Sequence, residues 1–252
     1  MMILERFSLA GKVAIVTGSN TGLGQGFCVA MAEAGANVMG VSRSDSDETL
    51  EKIGPEQFHY VTADLGSTEP IGRILDATVE RYGKVDILIN NAGIIRREDA
   101  VAFTEQDWDD VLNLNLKTVF FFSQAVAKRF IAQGTGGKII NVASMLSYQG
   151  GIRVPSYTSS KSAIKGLTMS LANEWAGYSI NVNAIAPGYM ATNNTRQLRA
   201  DKDRSAAILE RIPAGRWGTP EDIMGAGVFL ASAASDYVNG FTLAVDGGWL
   251  GR

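Results

Sequence analysis

The stretch Lys12-Val13-Ala14-Ile15-Val16-Thr17-Gly18-Ser19-Asn20-Thr21-Gly22-Leu23-Gly24 decides the fold. Its first half is a short apolar, β-branched run; its second half is a glycine-punctuated turn leading straight into a sequence of helical period. Six further runs of the first kind follow, at residues 37–42, 57–62, 85–89, 138–143, 180–184 and 242–245. Between them lie stretches with helical length and period, at 22–34, 69–82, 105–132, 157–176 and 220–231. Thr219 is a natural cap for the last of these, with Pro220 at the first helical position and Glu221 and Asp222 in the first turn. Strands apolar on both faces and alternating with helices belong to a parallel sheet covered on each side. The pattern predicts a doubly wound α/β fold with a seven-stranded parallel sheet and helices on both faces. No low-complexity tract, sustained repeat or linker interrupts it, so residues 1–252 are expected to form one domain.

Composition narrows the function classes. Of 252 residues, 46% are hydrophobic and 19% charged, and the net charge is −3. With a pI of about 5.3, the chain has no basic footprint for nucleic acid or an anionic membrane. Cys28 alone cannot form an intramolecular disulfide, and His59 alone leaves no HExxH or Cys/His cluster for zinc, so no metal is expected. Glu5 and Arg6 stand where a signal peptide needs an unbroken apolar stretch, and no run approaches the ~18 apolar residues of a membrane span. The expectation is a soluble protein of the reducing cytoplasm, without nucleic-acid or membrane partners.

In a doubly wound sheet, ligands bind beyond the carboxyl ends of the strands, so the residues ending each run are the ones to inspect. Gly18, Gly22 and Gly24, with Asn20 and Leu23 between them, permit a tight turn. They also let a pyrophosphate approach the backbone N–H groups at a helix N-terminus. The turn reads as the dinucleotide cradle of a Rossmann-like domain; an ordinary strand-to-helix turn is the plain alternative. Tyr157 and Lys161 share a helix face at i and i+4. Such a pair arises by chance in about one chain in four of this composition. An ammonium beside a phenol favours phenolate and draws its pKa below about 10, which makes Tyr157 a candidate general acid/base. Ser144 is expected to end the strand over 138–143, on the ligand-binding edge, where its hydroxyl can meet a carbonyl or alcohol oxygen or simply cap the next turn.

With Thr17, the first turn resembles the TGxxxGxG signature of the short-chain dehydrogenase/reductase family. Further family marks follow in order: Asp64-Leu65, Asn90-Asn91-Ala92-Gly93, Asn115, Ser144, Tyr157, Lys161 and Pro187-Gly188. The resemblance covers nearly the whole chain and implies reversible hydride transfer between an alcohol and a ketone, with no metal. In that chemistry Tyr157 takes or gives the hydroxyl proton, Lys161 holds the cofactor ribose and lowers the tyrosine pKa, and Ser144 orients the substrate oxygen. Asn115 supports a water-linked proton path from the lysine to solvent. The cofactor would contact Gly18, Asn20, Gly22, Leu23, Gly24, Asp64, Leu65, Asn91, Ala92, Gly93, Pro187, Gly188, Met190 and Thr192. A homotetramer is likewise implied; the apolar run 119–122 suits either such an interface or burial against the sheet.

Cofactor choice divides at the end of the second strand. An acid there holds the ribose 2′-OH of NAD, whereas arginine meets the 2′-phosphate of NADP. Ser42 takes the acidic position and Arg43 follows it, which leans to NADP; Asn20, Thr21, Asp45 and Asp47 lean the other way. Segments 90–97, 147–157 and 188–195 and the ending Asp246-Gly247-Gly248-Trp249-Leu250-Gly251-Arg252 resemble the family's sugar-acid dehydrogenases. That implies NAD, with NADP not excluded, and a keto or hydroxy sugar acid of the deoxygluconate type from pectin and uronate breakdown. Ser144, Tyr157 and Arg153 are the substrate candidates. Arg96, Arg97 and Arg196 compete with Arg153 for the carboxylate. Trp249 and a lid over 189–216 are expected to close the pocket. The alternatives are an NADPH-dependent 3-oxoacyl-[acyl-carrier-protein] reductase and a non-catalytic dinucleotide-binding regulator, which has no need of the Asn115, Ser144, Tyr157 and Lys161 set.

Overall fold

Strand β1 (Val13–Thr17) has no exposed residue, as a strand covered on both faces requires. The computed structural model describes residues 2–252. The other strands are β2 (Asn37–Ser42), β3 (Phe58–Thr62), β4 (Ile87–Asn90), β5 (Gly137–Val142), β6 (Ile180–Pro187) and β7 (Thr242–Val245). They form one sheet in the order β3-β2-β1-β4-β5-β6-β7, and every pairing is parallel. The chain winds outward from β1 to β3 and then crosses back to β4 on the other side of β1. That reversal opens a crevice above the carboxyl ends of β1 and β4.

The helices are α1 (Gly22–Glu33), α2 (Asp47–Ile53), α3 (Ile71–Tyr82), α4 (Glu105–Leu112), α5 (Thr118–Gln133), α6 (Pro155–Trp175), α7 (Arg196–Ala200), α8 (Lys202–Arg211) and α9 (Pro220–Ala231). Successive strand residues point to opposite faces, so Ala14, Val16, Ile89 and Val142 bury one side of the sheet against α1 and α9. Ile15, Leu88, Ile139 and Val182 bury the other against α3, α5 and α6. Among the described residues no helix is long and apolar enough to cross a membrane.

Three local differences from the sequence reading matter for the site. The expected helix over 105–132 is divided: between α4 and α5 lies a π-turn, Asn113–Lys117, in which the Thr118 N–H reaches the Asn113 carbonyl. Strand β5 stops at Val142, so Ser144 begins the following turn rather than ending the strand. Helix α6 starts at Pro155, whose fixed φ suits a first helical position, so Tyr157 lies in its first turn. Val119 and Phe122 of the run 119–122 are buried within the protomer, while Phe121 is 40% exposed.

Helices α1 and α9 cross closely because Gly227 carries no side chain; a Cβ there would stand 2.8 Å from the Phe27 ring. Gly227→Val is expected to lower the unfolding free energy by about 1–3 kcal/mol through overpacking. A fall in the urea midpoint at unchanged m-value measures it.

Candidate active site

The glycine turn is held from below. Gly18 and Ser19 N–H groups donate to the Val41 carbonyl of β2 at 2.7 and 3.3 Å. Gly18 has φ +71°, a left-handed conformation that favours glycine. A side chain at Gly24 would collide with the Gly18 carbonyl, and one at Gly18 would meet Asn91 Nδ2 at 2.7 Å. Thr21 caps α1 in extended conformation without a side-chain bond to its first turn. The loop is therefore bare backbone at a positive helix end, and it fits a pyrophosphate.

The turn after β4 is stitched to β1 through Thr17. Its Oγ1 accepts the Asn91 and Ala92 N–H groups, both at 2.9 Å, and Asn91 Nδ2 donates to the Thr17 carbonyl at 2.8 Å. Behind this turn the buried Asn115 accepts the Ile94 N–H and donates to the Ile94 carbonyl, each at 2.9 Å. Its Nδ2 also lies 3.3 Å from Ser160 Oγ, which donates to the Tyr157 carbonyl at 2.8 Å. Asn115 thus joins the β4 turn to α6 from a π-turn, a feature frequent at functional sites.

Lys161 is buried, and its Nζ donates to the Val142 carbonyl at 2.6 Å, fastening α6 to the end of β5. One turn earlier, the half-buried Tyr157 has its ring centroid 5.7 Å from that ammonium. Burial pulls the Lys161 ammonium down from 10.5 to about 8. Burial also pushes the Tyr157 phenol up, against the opposing pull of the Ser144 hydroxyl and the Arg97 guanidinium. The lysine was the expected cation here. Its ammonium donates one hydrogen bond to Val142 and stays over the Tyr157 ring, while Ser144 and Arg97 pull the phenol down against burial. Ser144 Oγ also accepts the Leu146 N–H at 3.1 Å, so the serine caps its turn while lining the cleft.

These parts surround one cleft of about 270 Å³. Gly18, Asn20, Gly22, Leu23, Gly24, Asn91, Ala92, Gly93, Ser144, Tyr157, Lys161, Pro187, Gly188, Met190 and Thr192 all line it, as anticipated. So do Asn193, Asn194 and Thr195, which the sequence reading treated only as part of the lid. Thr17 and the Val142 carbonyl were also missed as functional. Thr17 was visible in the first turn's motif, whereas a backbone carbonyl leaves no side-chain signal. Among the described residues lining the cleft, Lys161 is the only charged one, and no carboxylate is present.

Other candidates lie outside this lining. Ser42 is buried and donates to the Ser44 carbonyl; its Oγ lies 3.0 Å from Ser46 Oγ, which is 2.9 Å from Ser19 Oγ under the glycine turn. Arg43 is exposed and belongs to no ion pair among the described residues. Asp45 accepts from Thr62 at 3.2 Å and Asp47 from Tyr60 at 2.6 Å, so both acids engage β3. Asp64 accepts the Gly66 N–H at 2.8 Å, and Leu65 is buried. Arg153, at φ +62°, pairs with Glu98 at 3.2 Å and Asp99 at 3.0 Å instead of entering the cleft, because those two carboxylates stand beside it. The segment 189–216 is largely helical. Its Leu198, Ile208 and Ile212 pack with Met145 and Trp249, and Tyr189 stacks edge-on against Trp249 at 4.8 Å.

Comparison with known proteins matches these features. Residues 12–203 fit the short chain dehydrogenase family. The chain is 64% identical over 253 residues to 2-dehydro-3-deoxy-D-gluconate 5-dehydrogenase of Escherichia coli (strain K12), covering all of both chains. A crystal structure from Agrobacterium tumefaciens with bound NADP, provisionally named a 2-deoxy-D-gluconate 3-dehydrogenase, is 56% identical with a TM-score of 0.93; the match covers 98% of this chain and 99% of that one. A gluconate 5-dehydrogenase from Burkholderia cenocepacia J2315, in complex with NADP and tartrate, is 38% identical with a TM-score of 0.93, covering all of both chains.

The buried lysine has a pH signature. Its folded value of about 8 lies below the ordinary 10.5, so between these pH values the unfolded chain binds more protons and stability rises with pH. The wild type is expected to gain up to about 3 kcal/mol relative to Lys161→Met across that window. Urea unfolding at a series of pH values measures it; parallel curves for the two proteins would contradict it.

Proposed function

The chain belongs to the short chain dehydrogenase family and is an NAD(P)-dependent dehydrogenase. From that premise we propose that it interconverts a hydroxyl and a keto group on a sugar acid of the deoxygluconate type. The substrate is 2-dehydro-3-deoxy-D-gluconate or 2-deoxy-D-gluconate, in cytoplasmic pectin and uronate breakdown. The observation that carries the reading is Ser144, Tyr157 and Lys161 lining one cleft that has no carboxylate to repel an acid. The names of the Escherichia coli and Agrobacterium relatives support the substrate class, as does the tartrate, a hydroxy acid, held by the Burkholderia protein.

The bare glycine loop, the Asn91–Gly93 turn, the residues from Pro187 to Thr192 and Lys161 would hold the nicotinamide dinucleotide. When bound, it supplies the hydride acceptor for oxidation and the donor for reduction. Tyr157 Oη moves the proton. A phenol held protonated by burial gives it to the forming alkoxide in reduction, and the phenolate takes it from the hydroxyl in oxidation. Ser144 Oγ holds the reacting oxygen. Lys161 feeds protons towards this end of the cleft, with a value near 8 that lets it gain and lose one near neutral pH. Asn115 keeps the β4 turn and α6 in register through Ile94 and Ser160.

NAD is taken as the working cofactor on the resemblance to the sugar-acid dehydrogenases alone, and NADP, which the Agrobacterium and Burkholderia structures contain, is admitted on the geometry. Nothing acidic at Ser42 opposes a 2′-phosphate, Arg43 is free to meet one, and Asp45 and Asp47 are engaged by β3. The segment 189–216 acts as the lid. A homotetramer is proposed on the family resemblance alone.

Purified protein is expected to oxidise 2-deoxy-D-gluconate with NAD and to prefer it to a 3-oxoacyl thioester. The reverse preference with NADPH would overturn the substrate reading. Tyr157→Phe should lower kcat by about 10²–10⁴-fold while leaving NADH affinity, read by fluorescence titration, within about twofold. Arg43→Ala should raise KM for NADP about tenfold and leave KM for NAD unchanged in steady-state assays.

A further inference from the structure

Of the four arginines considered for the carboxylate, the fold pairs two with acids and leaves Arg97 and Arg196 without an ion pair among the described residues; Arg196 opens α7 after Thr195, and only Arg97 has its guanidinium bonded to the cleft wall. Arg96 is held by Asp107 at 3.1 Å and Asp110 at 3.2 Å. Arg153 is held by Glu98 at 3.2 Å and Asp99 at 3.0 Å. Arg97, next in sequence to Arg96, forms no such pair among the described residues. Its Nη2 donates to the carbonyl of Asn194 at 3.1 Å, and Asn194 is part of the cleft wall. A guanidinium has five N–H donors, so this one bond leaves the rest of the fork uncommitted. The Arg97 charge also pulls the Tyr157 phenol down, against the larger upward push of burial. The other cation there, Lys161, is buried at the end of β5, where one of its three N–H donors is held by the Val142 carbonyl, and it is assigned above to the dinucleotide and the proton path.

Resting on the sugar-acid reading above, we propose that Arg97 is the carboxylate-binding residue, gripping the acid end of the substrate while Tyr157 and Ser144 hold the oxygen being oxidised or reduced. A planar fork beside a carboxylate-free cleft is suited to two parallel N–H···O bonds. Arg96 and Arg153 have the loop-holding role: the Glu98 N–H donates to the Arg153 carbonyl at 3.1 Å, tying together the two turns that carry Arg97 and Tyr157. Arg97 also bridges the turn after β4 to the segment 189–216 through Asn194, so acid specificity and the position of that segment share one side chain.

The test compares 2-deoxy-D-gluconate with its neutral amide in wild-type, Arg97→Ala, Arg97→Lys and Arg153→Ala proteins. The wild type should favour the acid. Arg97→Ala should raise KM for the acid by about 10- to 100-fold, leave KM for the amide nearly unchanged, and recover acid turnover in part when guanidinium chloride is added at low millimolar concentration. Arg97→Lys should fall between, because a point charge replaces the fork. A wild type active on sugar acids whose Arg97→Ala variant keeps its acid preference overturns this assignment alone. So does loss of that preference in Arg153→Ala instead. A wild type with no turnover of any sugar acid removes the underlying functional reading as well.

Discussion

The bond from Lys161 Nζ to the Val142 carbonyl is the constraint on which the site depends. A buried ammonium must be hydrogen-bonded, and this one finds its acceptor where β5 ends. The bond therefore sets the distance between α6 and the sheet edge. With α6 so placed, Tyr157 comes to the cleft one turn ahead of the lysine, and Ser144 comes to it from the turn two residues beyond Val142. The burial that makes the bond obligatory also brings the lysine down to about 8, and burial of Tyr157 itself pushes its phenol up.

Much of the fold was legible because its signals are local and periodic. The fully apolar β1, the three glycines after it and the Pro220 helix start each carry their own physical reason, and the strands lie within a few residues of expectation. What the chain does not spell out is pairing at a distance. Nothing in the run 105–132 marks a π-turn, since the widened turn answers to Asn115 reaching Ile94 and Ser160 on other elements. Arg153 lies as near Tyr157 in sequence as a substrate ligand should. Its neighbours Glu98 and Asp99, more than fifty residues away, decide its fate. The partner of Lys161 was invisible for a simpler reason: a carbonyl belongs to every residue type.

Charge placement ties these observations together. Acids near the cleft are consistently occupied elsewhere: Asp45 and Asp47 with β3, Glu98 and Asp99 with Arg153, Asp107 and Asp110 with Arg96. The lining that remains is polar, carboxylate-free and bounded by one buried and one rim cation, an environment that attracts anions at both of its ends. A dinucleotide phosphate and the proposed sugar acid make the same demand on it.

The central claim is that one oxygen of the substrate lies between Ser144 and Tyr157 in the reacting complex. A crystal structure with bound NADH and a slowly reacting sugar acid tests it most directly. The keto oxygen is expected within about 2.6–3.2 Å of both Tyr157 Oη and Ser144 Oγ. A fully occupied complex with that oxygen turned away from both hydroxyls would contradict it.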